Sequence, residues 1–249
     1  MGSPLFFPSQ PVVQSLRMAR PLRITVPNLP FHVLERGNNR QVVFRQEADF
    51  VYFLNLLRRY KKELRFKLYH FCLMPNHFHL VLESAIEGDV PKIMMRLTLA
   101  YSSYFNKRYG GVGHVWQGRY KSSLIEKESY FIWCGLYVEL NAVRAGLASK
   151  PDGWRWSSYR PHASGEIDPL TEGLIDINPY YLELGNTPRE RQEKYQEDVA
   201  VVMKDEFLRD IRSRLDEGVL GEEDFVNEAK ERFKIGSLRP RGRPRKGEK

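Results

Sequence analysis

Along the first 160 of the 249 residues, strand-like and helix-like segments follow one another in the order βαββαβα. That order predicts an α+β fold of the split βαβ, ferredoxin-like or RRM-like kind: an antiparallel sheet with helices on one face and the other face open. Two further observations support it. A Pro-Asn pair joins two β-favouring runs as a tight hairpin, and each helical pattern carries its own start or stop residues. The rest of the chain reads as a small helical appendage followed by a basic tail that is disordered when free.

Each element has a local reason. Residues 1–17 hold Pro, Ser and Gln without periodicity and are expected to form a flexible lead. "FHVLERG" (31–37) reads as a strand ended by a Gly-Asn-Asn turn, and "EADFVYFLNLLRRYKKEL" (47–64) places apolar residues at helical spacing above a basic last turn. "FKLYHFCLMP" (66–75) and "HFHLVLES" (77–84) are the hairpin strands, turning at Pro75-Asn76. A second helix starts at Asp89, has Pro91 in its first turn and stops at Gly110. "VWQGRYKSSLI" (115–125) is the fourth strand, and "KESYFIWCGLYVELNAVRAG" (127–146) is a third helix closed by Gly146 with Arg144 in its last turn. "WRWSSY" (154–159) completes a unit of residues 18–160. Residues 161–238 form a loop-rich acidic appendage with helical patterns near 188–215 and 221–234, and "RPRGRPRKGEK" (239–249) is the tail.

The net charge of +8 divides into +12 for residues 1–160, −9 for 161–238 and +5 for 239–249. Two basic blocks around an acidic one point to a polyanion as partner, nucleic acid first, with the acidic block making no phosphate contact. No apolar run reaches the roughly 20 residues of a membrane span, and the start lacks a signal pattern, so a cytoplasmic, nucleoid-associated protein with no membrane partner is expected. Cys72 and Cys134 each sit in an apolar segment and read as buried thiols.

Two histidines interrupt the second hairpin strand. Side chains alternate along a strand, so His77 and His79 share one face with Val81 and Glu83, while Phe78, Leu80 and Leu82 take the other. Two imidazoles at that spacing suit one divalent cation; a polar sheet face explains them equally well. On the third helix Tyr137 and Asn141 stand one turn apart and present a phenol and a carboxamide oxygen on one side. A free phenol titrates near pH 10, so attack on a phosphodiester at neutral pH needs a cation or a base beside it.

The segments "FHVLERGNNR", "YHFCLMPNHFHLVLE", "YFNKRYGGVGHVWQGRYKS", "YVELNAVRAGL" and "WRWSSY", in that order, resemble the single-tyrosine HUH transposases of the REP-associated tyrosine transposase type. HUH denotes His, a hydrophobic residue, His, here His77, Phe78 and His79. The resemblance spans residues 18–160 and implies a nuclease that cuts single-stranded DNA at hairpin-associated sites with Mg²⁺ or Mn²⁺ and forms a 5′-phosphotyrosine. It assigns His77 and His79 to the metal, Tyr137 to the nucleophile and Asn141 to the polar residue that completes the metal site. Tyr130 is the fallback nucleophile. Where such proteins often carry Asn-Pro-Val, this chain has Asn141-Ala142-Val143; alanine removes a helix stop that would help to orient Asn141.

Arg36, Asn38, Asn39 and Arg40 in the first turn, and Trp116, Gln117, Arg119 and Tyr120 further on, combine cations, amides and aromatic rings. Such a set fits single-stranded or hairpin DNA. In the tail, Pro240-Arg241-Gly242-Arg243-Pro244 matches the AT-hook core, which lays Arg241 and Arg243 into a narrow minor groove. The expectation is a metal-dependent DNA endonuclease and strand transferase, monomeric or homodimeric. The alternative is a non-catalytic single-stranded DNA or RNA binder using the same sheet face, and a remoter one is a phosphodiesterase that uses water.

Overall fold

The computed structural model describes residues 25–86, 89–233 and 235; the lead and the tail with Arg241 and Arg243 lie outside them. The elements begin β1 (Pro30–Arg36), α1 (Glu47–Leu64), β2 (Lys67–Met74), β3 (His77–Glu83), α2 (Asp89–Tyr109), β4 (Lys121–Ile125) and α3 (Ser129–Glu139), the expected order. There follow α4 (Asn141–Arg144), α5 (Tyr159–Ala163), α6 (Pro179–Leu182), α7 (Pro188–Val202), α8 (Asp205–Glu217), β5 (Val219–Leu220) and α9 (Glu223–Phe233). The sheet runs β2-β3-β1-β4-β5, antiparallel through its first four strands, with β5 parallel to β4. No described helix is long and apolar enough to cross a membrane.

Local chemistry fixes the main pieces. Asp49 begins α1 by accepting from the backbone N–H groups of Arg45 (2.8 Å) and Gln46 (2.9 Å), which the helix itself leaves without partners. Thr187 and Glu190 bond reciprocally at the start of α7, with Pro188 at its first position. The expected single helix over 188–215 is two: Lys204 adopts an extended ψ of 130° and separates α7 from α8. The expected helix over 127–146 breaks at Leu140 into α3 and α4, and the expected strand 115–125 shortens to β4, with Trp116 retained only in a bridge to Gly37.

One core lies between the sheet and helices α1 and α2, where Phe31, Val33, Phe71, Phe78, Leu80 and Leu82 meet Phe53, Leu57, Leu97 and Tyr101. The other sheet face was expected to be open. Instead Cys72, Met74, Val81 and Ile125 pack there against Phe131, Cys134 and Val138 of α3 and Ile211 and Leu215 of α8. The reason is in β2: from Leu68 to Met74 every residue is buried, because apolar side chains occupy both faces and alternation is lost. Between these packed elements lies a cleft bounded by the ends of β1 and β3, by α3 and α4, and by α8.

Candidate active site

The cleft has a volume of about 490 Å³, and its walls bring together His77, His79, Tyr137 and Asn141 with Arg36, drawn from three separate stretches of sequence. The antiparallel register sets Leu34 against His79 and His32 against Val81, so His32 falls diagonally beside His79 on the same face. Its Nε2 lies 2.8 Å from His79 Nδ1, with the two rings stacked 5.1 Å apart. His77 Nδ1 lies 2.6 Å from Asn76 Oδ1, which accepts the imidazole N–H. His77 and His79 thus have Nδ1 engaged, and neither of their Nε2 atoms has a hydrogen-bond partner among the described residues.

Protonation follows from burial. His32 and His77 are both lowered to about 4 by burial, His77 also by Arg36. His79 is held well below the ordinary imidazole range, by burial first and then by the charges of His32, His77, Arg144 and Arg36. At neutral pH all three rings are neutral and keep a nitrogen lone pair, the form that binds a cation.

Tyr137 is 4% exposed; the rings of His32 and His79 stand edge-on to it, each 6.2 Å away, and the Arg144 guanidinium lies 4.7 Å over its face. Its hydroxyl has no hydrogen-bond partner among the described residues. Asn141 is oriented without the proline: its Nδ2 donates to the carbonyls of Tyr137 (2.9 Å) and Val138 (3.1 Å), which leaves Oδ1 as the atom available to a cation. Two neutral imidazole nitrogens and a carboxamide oxygen form a donor set that fits a hard or borderline divalent ion. The other tyrosines are engaged elsewhere. Tyr101 donates to Val43 O, Tyr104 and Tyr109 to Asp49, and Tyr130 packs on Trp133 outside the cleft.

Behind α3 sits a second polar group. Glu139, fully buried, accepts at Oε1 from His70 Nδ1 (2.9 Å), His162 Nδ1 (3.1 Å) and Ser158 Oγ (2.5 Å), and at Oε2 from Tyr195 Oη (2.7 Å). Burial pushes this carboxyl up, but charge and hydrogen bonds from His162 and His70 prevail and hold it well below the usual carboxylate range. Burial and the neighbouring His162 lower His70, against the opposing effect of its hydrogen bond to Glu139. Among the described residues, His70, Glu139 and His162 also have the donors to hold a metal, with ligand atoms within 4.8 Å of one another. Gly135 makes room for this group: a Cβ there would lie 2.5 Å from His70 Cε1 and Nε2.

The two loops expected to contact DNA lie side by side, Asn38 N donating to Val115 O and Gln117 N to Arg36 O, both at 2.8 Å. Gly37 is required there, since a Cβ would lie 2.4 Å from Gln41 O. Asn39, Arg40, Gln117 and Arg119 are exposed. Trp116 and Tyr120, expected within the DNA-contacting set, are instead buried: each is 8% exposed, and the indole packs on Phe78 and Tyr101 and donates to Thr98 O. The sequence reading missed His32 and every cleft residue from α8, namely Arg212, Leu215 and Asp216.

Residues 25–141, ending at Asn141, match the family described as "Transposase IS200 like". This segment is similar to the IS200-like transposases. His32, His77, His79, Tyr137 and Asn141 of the cleft all fall within the matched segment, whereas Arg144, Arg212, Leu215 and Asp216 lie beyond it. No curated protein matches the chain. Among solved structures, a REP-associated tyrosine transposase bound to a REP hairpin is similar at 16% identity and a TM-score of 0.49, covering 66% of this chain and 93% of that one. A Deinococcus radiodurans R1 protein assigned as a transposase is similar at 17% identity and a TM-score of 0.34, covering 53% and 92%.

Proposed function

We propose that this protein cuts single-stranded DNA beside hairpin, REP-like palindromic elements and rejoins it through a 5′-phosphotyrosine on Tyr137. The observation that carries the reading is the cleft itself, where a partnerless phenol, two neutral imidazoles with unengaged Nε2 atoms and an outward carboxamide oxygen share one wall.

His77, His79 and Asn141 would hold Mg²⁺ or Mn²⁺, which supplies charge neutralisation at the scissile phosphate and polarises its oxygens. The rest is done by the chain. His32 fixes the tautomer of His79: a ligating Nε2 requires the proton on Nδ1, which then donates to His32 Nε2. Asn76 does the same for His77. The Tyr137 oxygen attacks phosphorus, the P–O3′ bond breaks, and the 3′-hydroxyl leaves; its later attack on the phosphotyrosine reverses the step. Arg144 and Arg36 place positive charge beside the transferred phosphate. In this reading residues 18–160 are the catalytic unit, the exposed Asn39, Arg40, Gln117 and Arg119 contact the DNA, and Arg241 and Arg243 add minor-groove affinity.

Incubating the protein with a labelled hairpin bearing single-stranded flanks and Mn²⁺ tests this. A denaturation-resistant adduct is expected. Cleavage without adduct would replace the tyrosine mechanism with a water mechanism, and neither event over a range of hairpins would leave only the binding function.

A further inference from the structure

The catalytic cleft does not end at Tyr137. A hollow of about 320 Å³ adjoins it, lined by Arg144, Leu208, Arg209 and Arg212, and Arg144 and Arg212 belong to both. We propose that this hollow is a phosphate-binding track, built by Arg144 together with the appendage, for the phosphodiester backbone of the single-stranded DNA next to the cut site. The inference rests on the function proposed above and names which part of the chain holds the substrate next to the scissile bond.

Three observations support it. Arg209 and Arg212 stand three apart on α8, with Asp216 a further four along, so they form one stripe beside the buried Ile211 and Leu215 that dock the helix. That stripe is exposed, with Arg212 and Asp216 lining the cleft and Arg209 the adjoining hollow, while Arg214, off the stripe, is tied to Asp210 at 2.9 Å.

The second observation is the charge. Among the described residues, neither Arg144, Arg209 nor Arg212 has a carboxylate within ion-pair distance, whereas Arg189, Lys194, Arg214 and Lys230 of the same appendage all have one. A segment of net charge −9 thus leaves two arginines without acids where it meets the cleft. Asp216, which also lines the cleft, is occupied by Lys121 at 2.7 Å.

The third is an unsatisfied donor. Arg144 Nη1 is buried and has no hydrogen-bond partner, although its guanidinium lies over Tyr137. Buried guanidinium nitrogens find acceptors in nearly all native structures, so an anion is expected to supply one here. Planar, forked guanidinium groups are suited to the paired oxygens of a phosphodiester.

The test is the salt dependence of binding to a fluorescein-labelled hairpin with single-stranded flanks, followed by anisotropy across a NaCl series without divalent cations. Each phosphate contact on a single strand contributes about 0.7 to the slope of log K against log salt, so Arg209→Gln/Arg212→Gln should lower that slope by about 1.4. Binding should weaken about equally for matched and scrambled flanks. Arg209→Lys/Arg212→Lys should restore the slope, and Arg189→Gln/Lys194→Gln on α7 should leave it unchanged. An unchanged slope in a glutamine pair that melts like the parent would overturn the proposal.

As a check that needs no variant, photo-crosslinking of the unaltered chain to the hairpin should label peptides of residues 205–217; no label there would overturn it as well. Failure of the catalytic reading has a different signature: no Tyr137 adduct, with the slope change still present.

Discussion

Replacing Tyr195 by phenylalanine removes one oxygen and nothing else from the buried group around Glu139. Tyr195 is fully buried, and its hydroxyl donates to Glu139 Oε2 at 2.7 Å, a carboxylate held ionised by four donors. Hydrogen bonds to charged groups contribute about 1.5–3 kcal/mol, against about 0.5–1.5 for neutral pairs. The structure supplies its own neutral comparison: Tyr181, 6% exposed, donates to the backbone carbonyl of His162 at 2.6 Å. Tyr195→Phe should therefore cost about 1.5–3 kcal/mol and Tyr181→Phe about half as much. With a urea slope of about 3 kcal/mol per molar, the first corresponds to a midpoint shift of about 0.5–1 M. Urea titrations of the parent and both variants measure this. Equal losses, or a loss below about 0.5 kcal/mol for Tyr195→Phe, would show that Glu139 is not the charged acceptor argued for here.

Two further outcomes follow from the same groups. Burial lowers His32 to about 4 and keeps His70 below its ordinary value, so the unfolded chain takes up their protons first as pH falls below about 6.5. Glu139 is depressed and adds its loss below about 4.3, the unfolded value of a glutamate. Stability measured by urea titration should accordingly be flat between about pH 7 and 8, decline from about 6.5 and steepen below about 4.3, with His32 alone accounting for at most about 3.4 kcal/mol over its 2.5-unit span. A flat profile from pH 7 to 5 would contradict the neutral, buried histidines. Replacing His32 by leucine should raise the Mn²⁺ concentration for half-maximal adduct formation about 10–100-fold, as expected when the partner that orients a metal-ligating histidine is lost; an unchanged requirement would show that His32 does not orient His79.

The sequence made the first βαββαβα stretch legible because several elements carry their own ends, Asp89 with Pro91, Gly146 and the Pro75-Asn76 turn among them. The pairing of His77 with His79 and of Tyr137 with Asn141 was equally accessible, since both are local periodicities. His32 was not, although it sits in a strand that was recognised: only the β1–β3 register places it beside His79, and register is a long-range property. The covered second face had a visible signal in the unbroken apolar run of β2, where a half-open sheet would alternate. Trp116 and Tyr120 were misread because amphipathic rings serve cores and nucleic acids alike. Arg212 and Asp216 reach the cleft from a helix about 75 residues after Tyr137, and no local pattern announces that contact.

The central claim is that Tyr137 becomes covalently joined to DNA. Protease digestion of the adduct formed with Mn²⁺ and a labelled hairpin, followed by mass spectrometry, should place the nucleotide on the peptide containing Tyr137. Tyr137→Phe should abolish the adduct while hairpin affinity stays within a few fold. Attachment at Tyr130 or any other residue, or an adduct that survives Tyr137→Phe, would contradict it.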